Sequence, residues 1–534
     1  MGCSNPFGTF IFALCEPVPT PSSGVDQSGA TTLVLRKRVF LASAVLTGGQ
    51  FVVRLLDVVA GLVIARFLAP ADFGVVMIAT ATLVMLRAFT ELPVAEALVR
   101  SESVDKRDLD SAFTLTVLRG ILIAALLCAA SLPMAHIFDD ERLVGLLCAL
   151  AIVPIALGLR SPAMVHLTRD IEFRPISVIE VVSKLVAFGI AVWVAWSTGS
   201  YWALTISLIV PPLVSFPATY VVAPYRPRFG LGAARTILSF AGWMTLSRAI
   251  STANLEIDRY LVGGVLGKTA VGLFSVGRSV SSTVSWAIGM PLMQALFAGF
   301  STFQNDRERL HNAYRKGQAM LAAAIMPIGF ALSVLADPLV RLALGEQWLG
   351  AIPIIAILAP VGALQTMVMP VQALVLAIGQ PRQLTIRDAI LFAIGVPAVI
   401  VAAIQYGLLG AVVVRAVLGL FQIALGLEIV RRNLGDSFIA QIRPLWRTAL
   451  SVACMVAAML LVQNLLPPSR SQLQLALDLA ITVAAGGLTY VVAHAALWQF
   501  VGRPDGPERF ALGLCSAALR KSLQVVRAPA AENG

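Results

Sequence analysis

The stretch Ala65-Arg-Phe-Leu-Ala-Pro-Ala-Asp-Phe-Gly74 joins two apolar runs of this chain, residues 39–64 and 74–98. Each run is long enough to cross a bilayer, because about 20 mostly apolar residues span the hydrocarbon core. The connector between the two runs is short. The stretch therefore predicts a membrane helix, a tight turn and a returning membrane helix.

Apolar runs of this kind continue through most of the 534 residues. Hydrophobic residues make up 58% of the sequence and charged residues 13%, against about 25% charged residues in soluble domains. We predict an all-α polytopic membrane protein with about fourteen transmembrane helices. The candidate spans are residues 39–64, 74–98, 111–134, 143–163, 176–196, 201–223, 236–265, 272–300, 314–336, 350–377, 385–404, 408–430, 447–465 and 474–500.

The connectors between these runs alternate in charge. Those on one side hold about 27 lysines and arginines, and those on the other side hold about 5. Basic connectors stay in the cytoplasm, so the alternation predicts cytoplasmic N- and C-termini. Orientation and contact with the anionic lipid bilayer also explain the net charge of +11. Nucleic acid is not an expected partner, because the sequence carries no basic and aromatic module.

The first turn has a counterpart later in the chain. Leu68 and Gly74 recur as Leu266 and Gly272, at an offset of 198 residues. Six spans separate the two turns, and an even number keeps their orientation the same. We therefore predict two pseudo-symmetric six-helix lobes, with two further helices at the C-terminus. The predicted segments are a disordered N-terminal tail (1–34), a first lobe (35–230), a second lobe (231–433), spans 13 and 14 (434–500) and a cytoplasmic tail (501–534).

A proline occupies the same place in each returning helix, Pro93 and Pro291. Proline removes an intrahelical hydrogen bond and bends the helix. We predict a hinge at each, although a packing irregularity explains the pattern equally well.

Charged residues inside the spans are the candidate functional residues. A charge that faces lipid near the bilayer centre costs about 2.5–3.5 kcal/mol, so these groups must face one another or a watery cavity. The candidate cavity cations are Arg54, Arg87, Arg119, Lys184, Arg248, Arg278 and Arg415. The candidate coupling acids are Asp57, Glu91, Glu96 and Glu180. Three further charges near the end of the seventh span have an interfacial position and less weight: Glu256, Asp258 and Arg259.

Helical spacing divides these cations into two sets. The pairs at i,i+3 or i,i+4 predict local ion pairs: Arg54 with Asp57, Arg87 with Glu91, and Lys184 with Glu180. The cations with no acid within a turn are Arg119, Arg248, Arg278 and Arg415. We interpret this second set as a site for an anion such as a diphosphate, because a guanidinium donates two parallel hydrogen bonds to phosphate.

No metal or cofactor is expected. The six cysteines and four histidines form no metal-binding spacing. Gly263-Gly-Val-Leu-Gly-Lys-Thr269 looks like a phosphate loop but has Val262 where the first glycine should stand. Transport would then depend on a gradient or on the cargo's own concentration.

Four segments together resemble the Wzx-type oligosaccharide flippases of bacterial polysaccharide export, within the MOP transporter superfamily. They are Ala65–Gly74, Ala97-Leu-Val-Arg100, Ile257–Gly267 and Val271-Gly-Leu-Phe-Ser275. The resemblance covers about residues 35–500 and implies two lobes that alternate access. It also implies a cargo, undecaprenyl-diphosphate-linked oligosaccharide, that crosses the bacterial inner membrane beside a polymerase and glycosyltransferases.

Two other functions remain open from the sequence. A multidrug extruder of the same superfamily would need an acid-lined cavity for organic cations, which the excess of intramembrane arginine argues against. A membrane polysaccharide polymerase would be an enzyme with a sizeable outer loop, whereas the outer connectors here are short. We therefore expect a transporter and no enzyme activity.

Overall fold

The computed structural model describes most of the chain as helix. The described residues are 27–92, 94–100, 104–234, 242–303, 305–467 and 471–503. No strand occurs among them, as the sequence predicts. The first helix already begins at Gln27, within the predicted N-terminal tail.

The first half of the chain forms nine helices in the described residues. In order they are α1 (Gln27–Phe67), α2 (Pro70–Phe89), α3 (Val94–Arg100), α4 (Lys106–Phe138), α5 (Arg142–Leu150), α6 (Ile152–Gly158), α7 (Met164–Arg169), α8 (Arg174–Thr198) and α9 (Trp202–Val222). Pro70 begins α2 at the position where its missing N–H costs nothing.

The second half continues the helical pattern. Its helices are α10 (Gly242–Leu266), α11 (Lys268–Thr302), α12 (Arg307–Val334), α13 (Ala336–Leu339), α14 (Ile352–Gln365), α15 (Pro370–Ala377), α16 (Arg382–Leu434), α17 (Phe438–Ile442), α18 (Trp446–Leu465) and α19 (Gln472–Phe500). Short π and 3₁₀ segments, Val340–Leu344 and Glu346–Ala351, join α13 to α14.

Ten helices of the described residues are long and apolar enough to cross a membrane, or eleven if the bent helix α11 is included. The predicted count of fourteen is not confirmed. Three features account for the difference. The helix α10 carries four charges, α5 and α6 together are short, and α16 contains two predicted spans joined at Gly407, where φ is 64° and ψ is −152°. The chain is a multi-pass membrane protein.

The two halves meet tightly where α1 joins α2 and α10 joins α11. We name this the turn end of the molecule, and the opposite side the far end. A methyl group on Gly74 would lie 1.9 Å from the backbone oxygen of Lys268. A methyl group on Gly272 would lie 1.9 Å from the backbone oxygen of Pro70. The two contacts are related by the repeat offset, so this interface is two-fold symmetric, like that of an isologous dimer.

Apolar packing supports the same interface. The Trp348 ring is fully buried and lies edge-on to Phe73, with ring centroids 5.4 Å apart. Its indole Nε1 donates to the backbone oxygen of Ala65 at 2.8 Å. Leu68 and Val271 are also fully buried in this cluster. The turn end is therefore closed, with side chains of both halves in one core.

Candidate functional site

The predicted cavity cations lie in three places in the bundle. The first place, toward the far end, holds Arg87 on α2, Arg119 on α4 and Arg248 on α10. The second surrounds a buried aspartate and holds Arg278 on α11 and Arg415 on α16. The third lies on the packed helices α1 and α8 and holds Arg54 and Lys184.

The first of these places holds an arginine cluster, which we define as Arg87, Arg119, Arg160 and Arg248. The helical rise of about 1.5 Å per residue puts Arg87 and Arg248 each about 25 Å from the turn end. Both side chains are exposed. An exposed guanidinium at that depth in a bilayer needs water or a polar ligand around it.

The Arg119 side chain is hydrogen-bonded to the backbone of Arg87 on the neighbouring helix α2. Its Nη2 donates to the backbone oxygen of Arg87 at 2.8 Å. Its Nε is buried and finds no hydrogen-bond partner among the described residues. A guanidinium has five donors, so Arg119 is held in place with a donor left over for an acceptor.

Arg160 joins this cluster although the sequence analysis counted it only as a connector charge. Its Nη2 and Nε donate to Ser215 Oγ at 2.5 Å and 3.2 Å. It also acts electrostatically on Arg87 and on Glu180. Nothing in the sequence indicates its contact with Ser215, because Arg160 follows the end of α6 at Gly158 and so has the position of a connector residue.

Glu91 connects the arginine cluster across the two halves. Its carboxylate forms an ion pair with Arg248 Nη1. Thr245 Oγ1 also donates to the Glu91 backbone oxygen at 2.7 Å. The predicted Glu91–Arg87 pair is therefore wrong in its partner, because Glu91 turns to α10 rather than back along α2.

The other two predicted local pairs are also wrong. Asp57 Oδ1 accepts from Lys184 Nζ at 2.6 Å, between α1 and α8. Arg54 is exposed, and neither it nor Glu180 forms an ion pair with a described residue. A charge on a packed helix faces its neighbouring helix, so its partner comes from there.

Asp258 holds two of the cations that the sequence left without partners. Its Oδ2 lies 2.9 Å from Arg278 Nη1 and 3.1 Å from Arg415 Nε. The Asp258 side chain is only 3% exposed. The expectation that Arg248, Arg278 and Arg415 are unpaired is therefore wrong, and Asp258 is a buried anchor rather than an interfacial residue.

The predicted hinges are described only in part. Pro93 and the Glu96 side chain lie outside the described residues. The helix α11 bends by 44° between Thr283 and Ser285, before Pro291. A role for Pro291 as a moving hinge stays a prediction.

A second charged network closes the turn end. Asp140, 5% exposed, accepts from Arg142 Nη2 and from Lys268 Nζ, each at 2.7 Å. Arg142 also contacts Asp72 at 2.5 Å. Hydrogen bonds from Arg142, and then from Lys268, hold the pKa of the Asp140 carboxyl well below its usual range. Lys268 begins α11, so this network links the two halves.

The described residues bring no three potential metal ligands together. The chemistry available in the arginine cluster is instead the binding of an anion. Arg87 and Arg119 come from neighbouring helices, Arg248 comes from the other half, and guanidinium groups recognise phosphate oxygens through paired hydrogen bonds.

These features define a class: a multi-pass helical membrane transporter with a two-fold pair of halves and intramembrane arginines. Residues 63–353 match the family described as polysaccharide biosynthesis protein. The chain belongs to this family, and the resemblance to Wzx-type flippases is confirmed.

Relatives of known name agree with this family. The chain is 25% identical to the teichuronic acid biosynthesis protein TuaB of Bacillus subtilis, over 74% of this chain and 82% of TuaB. It is 23% identical to the lipopolysaccharide biosynthesis protein WzxC of Escherichia coli, over 72% of this chain and 79% of WzxC. The succinoglycan biosynthesis transport protein ExoT of Rhizobium meliloti is 26% identical over 56% of this chain and 60% of ExoT. They identify a transporter rather than an enzyme.

Solved structures with a similar fold belong to the MOP superfamily. The lipid II flippase MurJ, in an inward closed conformation, has a TM-score of 0.70 at 14% identity and covers 85% of this chain and 99% of MurJ. An inward-facing multidrug MATE transporter has a TM-score of 0.53 at 16% identity, over 71% of this chain and 94% of that chain. The all-α membrane fold that the apolar runs predict is confirmed.

Proposed function

We propose that this protein moves undecaprenyl-diphosphate-linked oligosaccharide repeat units across the bacterial inner membrane by alternating access. The units pass from the cytoplasmic to the periplasmic leaflet. The names of TuaB, ExoT and WzxC support polysaccharide assembly. The fold shared with a lipid II flippase supports a cargo on a lipid carrier.

The arginine cluster is the observation that carries the proposal. Arg87, Arg119 and Arg160 form no ion pair with a described residue. A diphosphate supplies the negative charge and acceptor oxygens that these groups need inside a membrane. The cluster holds the diphosphate, the sugars pass between the halves when the lobes move apart, and the lipid tail stays in the bilayer.

The charge alternation gives the direction. With cytoplasmic N- and C-termini, the far end faces the cytoplasm and the turn end faces the periplasm. The turn end is closed by the Gly74–Lys268 and Gly272–Pro70 contacts, so the arginine cluster takes its cargo from the cytoplasmic side. Glycosyltransferases would supply the repeat unit there, and a polymerase would consume it outside.

Export of organic cations is disfavoured by the same cluster. Arg87, Arg119 and Arg160 give it an excess of positive charge, and Glu91 is already engaged by Arg248. A cationic drug would be repelled from this place. Resistance profiling of a deletion strain distinguishes the two functions.

The test replaces two arginines together. The double variant Arg87→Gln and Arg119→Gln should lose polymer export at least about tenfold, because each lost charge-assisted contact is worth about 1.5–3 kcal/mol. Export is measured as polymer at the cell surface of a deletion strain that carries each variant.

Arg341→Gln is the matched control, because the ion pair that Arg341 forms among the described residues is with Asp337, four residues earlier at the turn end. It should export normally. Membrane abundance is measured for both variants. Normal export from the double variant at normal abundance would contradict the cluster as the cargo site.

A further inference from the structure

Glu91 occupies the place where an anionic cargo would bind. Its carboxylate is paired with Arg248 and acts electrostatically on Arg87 and Arg119 as well. One carboxylate thus pairs with a guanidinium group of the second half and lies within electrostatic range of two guanidinium groups of the first half. That is the relation a bound phosphate group would have to the same residues.

Glu91 also holds the two halves together near the far end. The ion pair with Arg248 and the hydrogen bond from Thr245 both join α10 to Glu91, two residues after the end of α2. The Glu91 side chain is 30% exposed and the Arg248 side chain 45%. An ion pair that is open to water is exchangeable, because the exposed partners regain hydration when they separate.

We propose that the Glu91 carboxylate is the chain's own stand-in for the cargo diphosphate, which competes with it for Arg248. The inference rests on the proposed function, since it takes the arginine cluster as the diphosphate site. When the site is empty, Glu91 links Arg248 to the first half. When cargo binds, the diphosphate takes Arg248 and links the halves in its place.

Two consequences follow from this competition. The cargo must displace Glu91, so removing the carboxylate tightens cargo binding. After the cargo has left, the empty protein needs an anion to bring Arg248 back to the end of α2. Removing the carboxylate therefore slows the step in which the empty protein returns to its starting conformation. A ligand shifts a conformational equilibrium only through its different affinity for the two states, and Glu91 makes cargo binding and far-end closure one linked equilibrium.

A purely structural ion pair predicts something else. Loss of Glu91 would then remove this ion pair, loosen the contact between α2 and α10, and weaken cargo binding together with export. The direction of the change in cargo affinity therefore distinguishes the two roles.

The experiment measures the binding of undecaprenyl diphosphate to the full chain in lipid nanodiscs. The variants are Glu91→Gln and Arg119→Gln, and the control is Glu346→Gln. Glu346 is exposed on the 3₁₀ segment Glu346–Ala351, and it has no ion pair with a described residue. Undecaprenyl monophosphate, which has the same lipid chain but one phosphate fewer, tests the contribution of charge. Inorganic pyrophosphate, which has no lipid chain, tests the contribution of the lipid. Polymer export is measured for the same variants.

Glu91→Gln should bind undecaprenyl diphosphate about tenfold more tightly and export severalfold less polymer, while Glu346→Gln stays at wild type. Undecaprenyl monophosphate should gain less from the variant, because it competes less well for three guanidinium groups. Glu91→Asp keeps the charge but shortens its reach to Arg248, and it should change affinity in the same direction by a smaller factor. It serves as the test where Glu91→Gln does not accumulate.

Unchanged or weaker binding by Glu91→Gln, with Arg119→Gln also weaker, would overturn the stand-in role and leave the proposed function intact. Wild-type binding by Arg119→Gln would instead count against the arginine cluster as the cargo site. The two failures are therefore distinguishable in one set of measurements.

Discussion

At the scale of single residues, Asp140 is a buried charge outside the membrane spans that contacts both halves of the chain. It accepts hydrogen bonds from Arg142 in its own half and from Lys268 in the other half. It is nearly fully buried, so its carboxylate depends on these two cations rather than on water. One carboxylate therefore links the halves at the turn end.

The depressed pKa of Asp140 fixes how this link depends on pH. Its contribution is fully present above the usual aspartate pKa of about 4 and is lost as pH falls through the lower folded value. Turn-end closure should therefore be unchanged between about pH 5 and pH 8. Electron-paramagnetic-resonance distances between labels at Phe67→Cys and Val265→Cys, in a cysteine-free background, measure this closure.

Asp140→Asn should open the turn end by shifting the equilibrium about 1–2 kcal/mol, because two charge-assisted hydrogen bonds are weakened. The same label pair should then show a larger population at long distance. Asp139→Asn is the matched control, since Asp139 is exposed in a left-handed conformation that asparagine also adopts. A wild-type opening between pH 6 and pH 8, or closure unchanged in Asp140→Asn, would contradict this role.

The identity of the charged residues could be read from the sequence, but their partners could not. Apolar spans make any Arg or Glu within them conspicuous, so Arg87, Arg119 and Arg278 stand out directly. Their neighbours depend on which helices pack together. Asp258 therefore appeared interfacial although it anchors Arg278 and Arg415, and Glu91 was assigned to Arg87 although it meets Arg248.

At the scale of elements, α2 of the first half packs directly against α11 of the second half. Gly74 and Gly272 let the two helix starts approach backbone to backbone, and each lies over the start of the other helix. The repeat of 198 residues seen in the sequence thus reappears as a two-fold contact. The sequence shows the repeat, because the glycines have the same spacing from the leucine that opens each turn, but it does not predict that the two turns meet.

Gly272→Ala tests this contact. The added methyl group would meet the Pro70 backbone oxygen, which cannot rotate away, so closure should weaken by about 1–3 kcal/mol. The distance between labels at positions 67 and 265 should increase. Gly74→Ala should have a similar effect, because it stands in the symmetry-related position.

Gly264→Ala is the control for this pair, because nothing lies within 4 Å of a methyl group there. It removes a helical glycine without touching the other half. An unchanged distance distribution in both Gly74→Ala and Gly272→Ala would show that the turn end is not held by this approach.

Helix boundaries were less predictable than helix existence. The spans 385–404 and 408–430 are the two parts of α16, which the non-helical dihedrals of Gly407 divide into two helices without a connector, at the predicted boundary. The span 143–163 divides into α5 and α6. Hydropathy reports which residues avoid water, and it carries little information about breaks inside an apolar segment.

At the scale of the whole molecule, the two ends of the bundle are held by different means. The turn end combines a glycine contact, a buried tryptophan and the Asp140 network. The far-end contact between the segment after α2 and α10 includes a partly exposed ion pair, Glu91–Arg248, and a hydrogen bond from Thr245. The weaker contact lies beside the arginine cluster, so an anion there can compete with it.

The central claim is that this protein moves a diphosphate-linked lipid through the arginine cluster. Its most direct test is a reconstituted assay with the purified chain in liposomes, in which labelled undecaprenyl-diphosphate oligosaccharide is followed from one leaflet to the other. We predict that the wild-type protein accelerates this movement and that Arg119→Gln slows it about tenfold or more. Equal rates for the wild type, Arg119→Gln and protein-free liposomes would contradict the account.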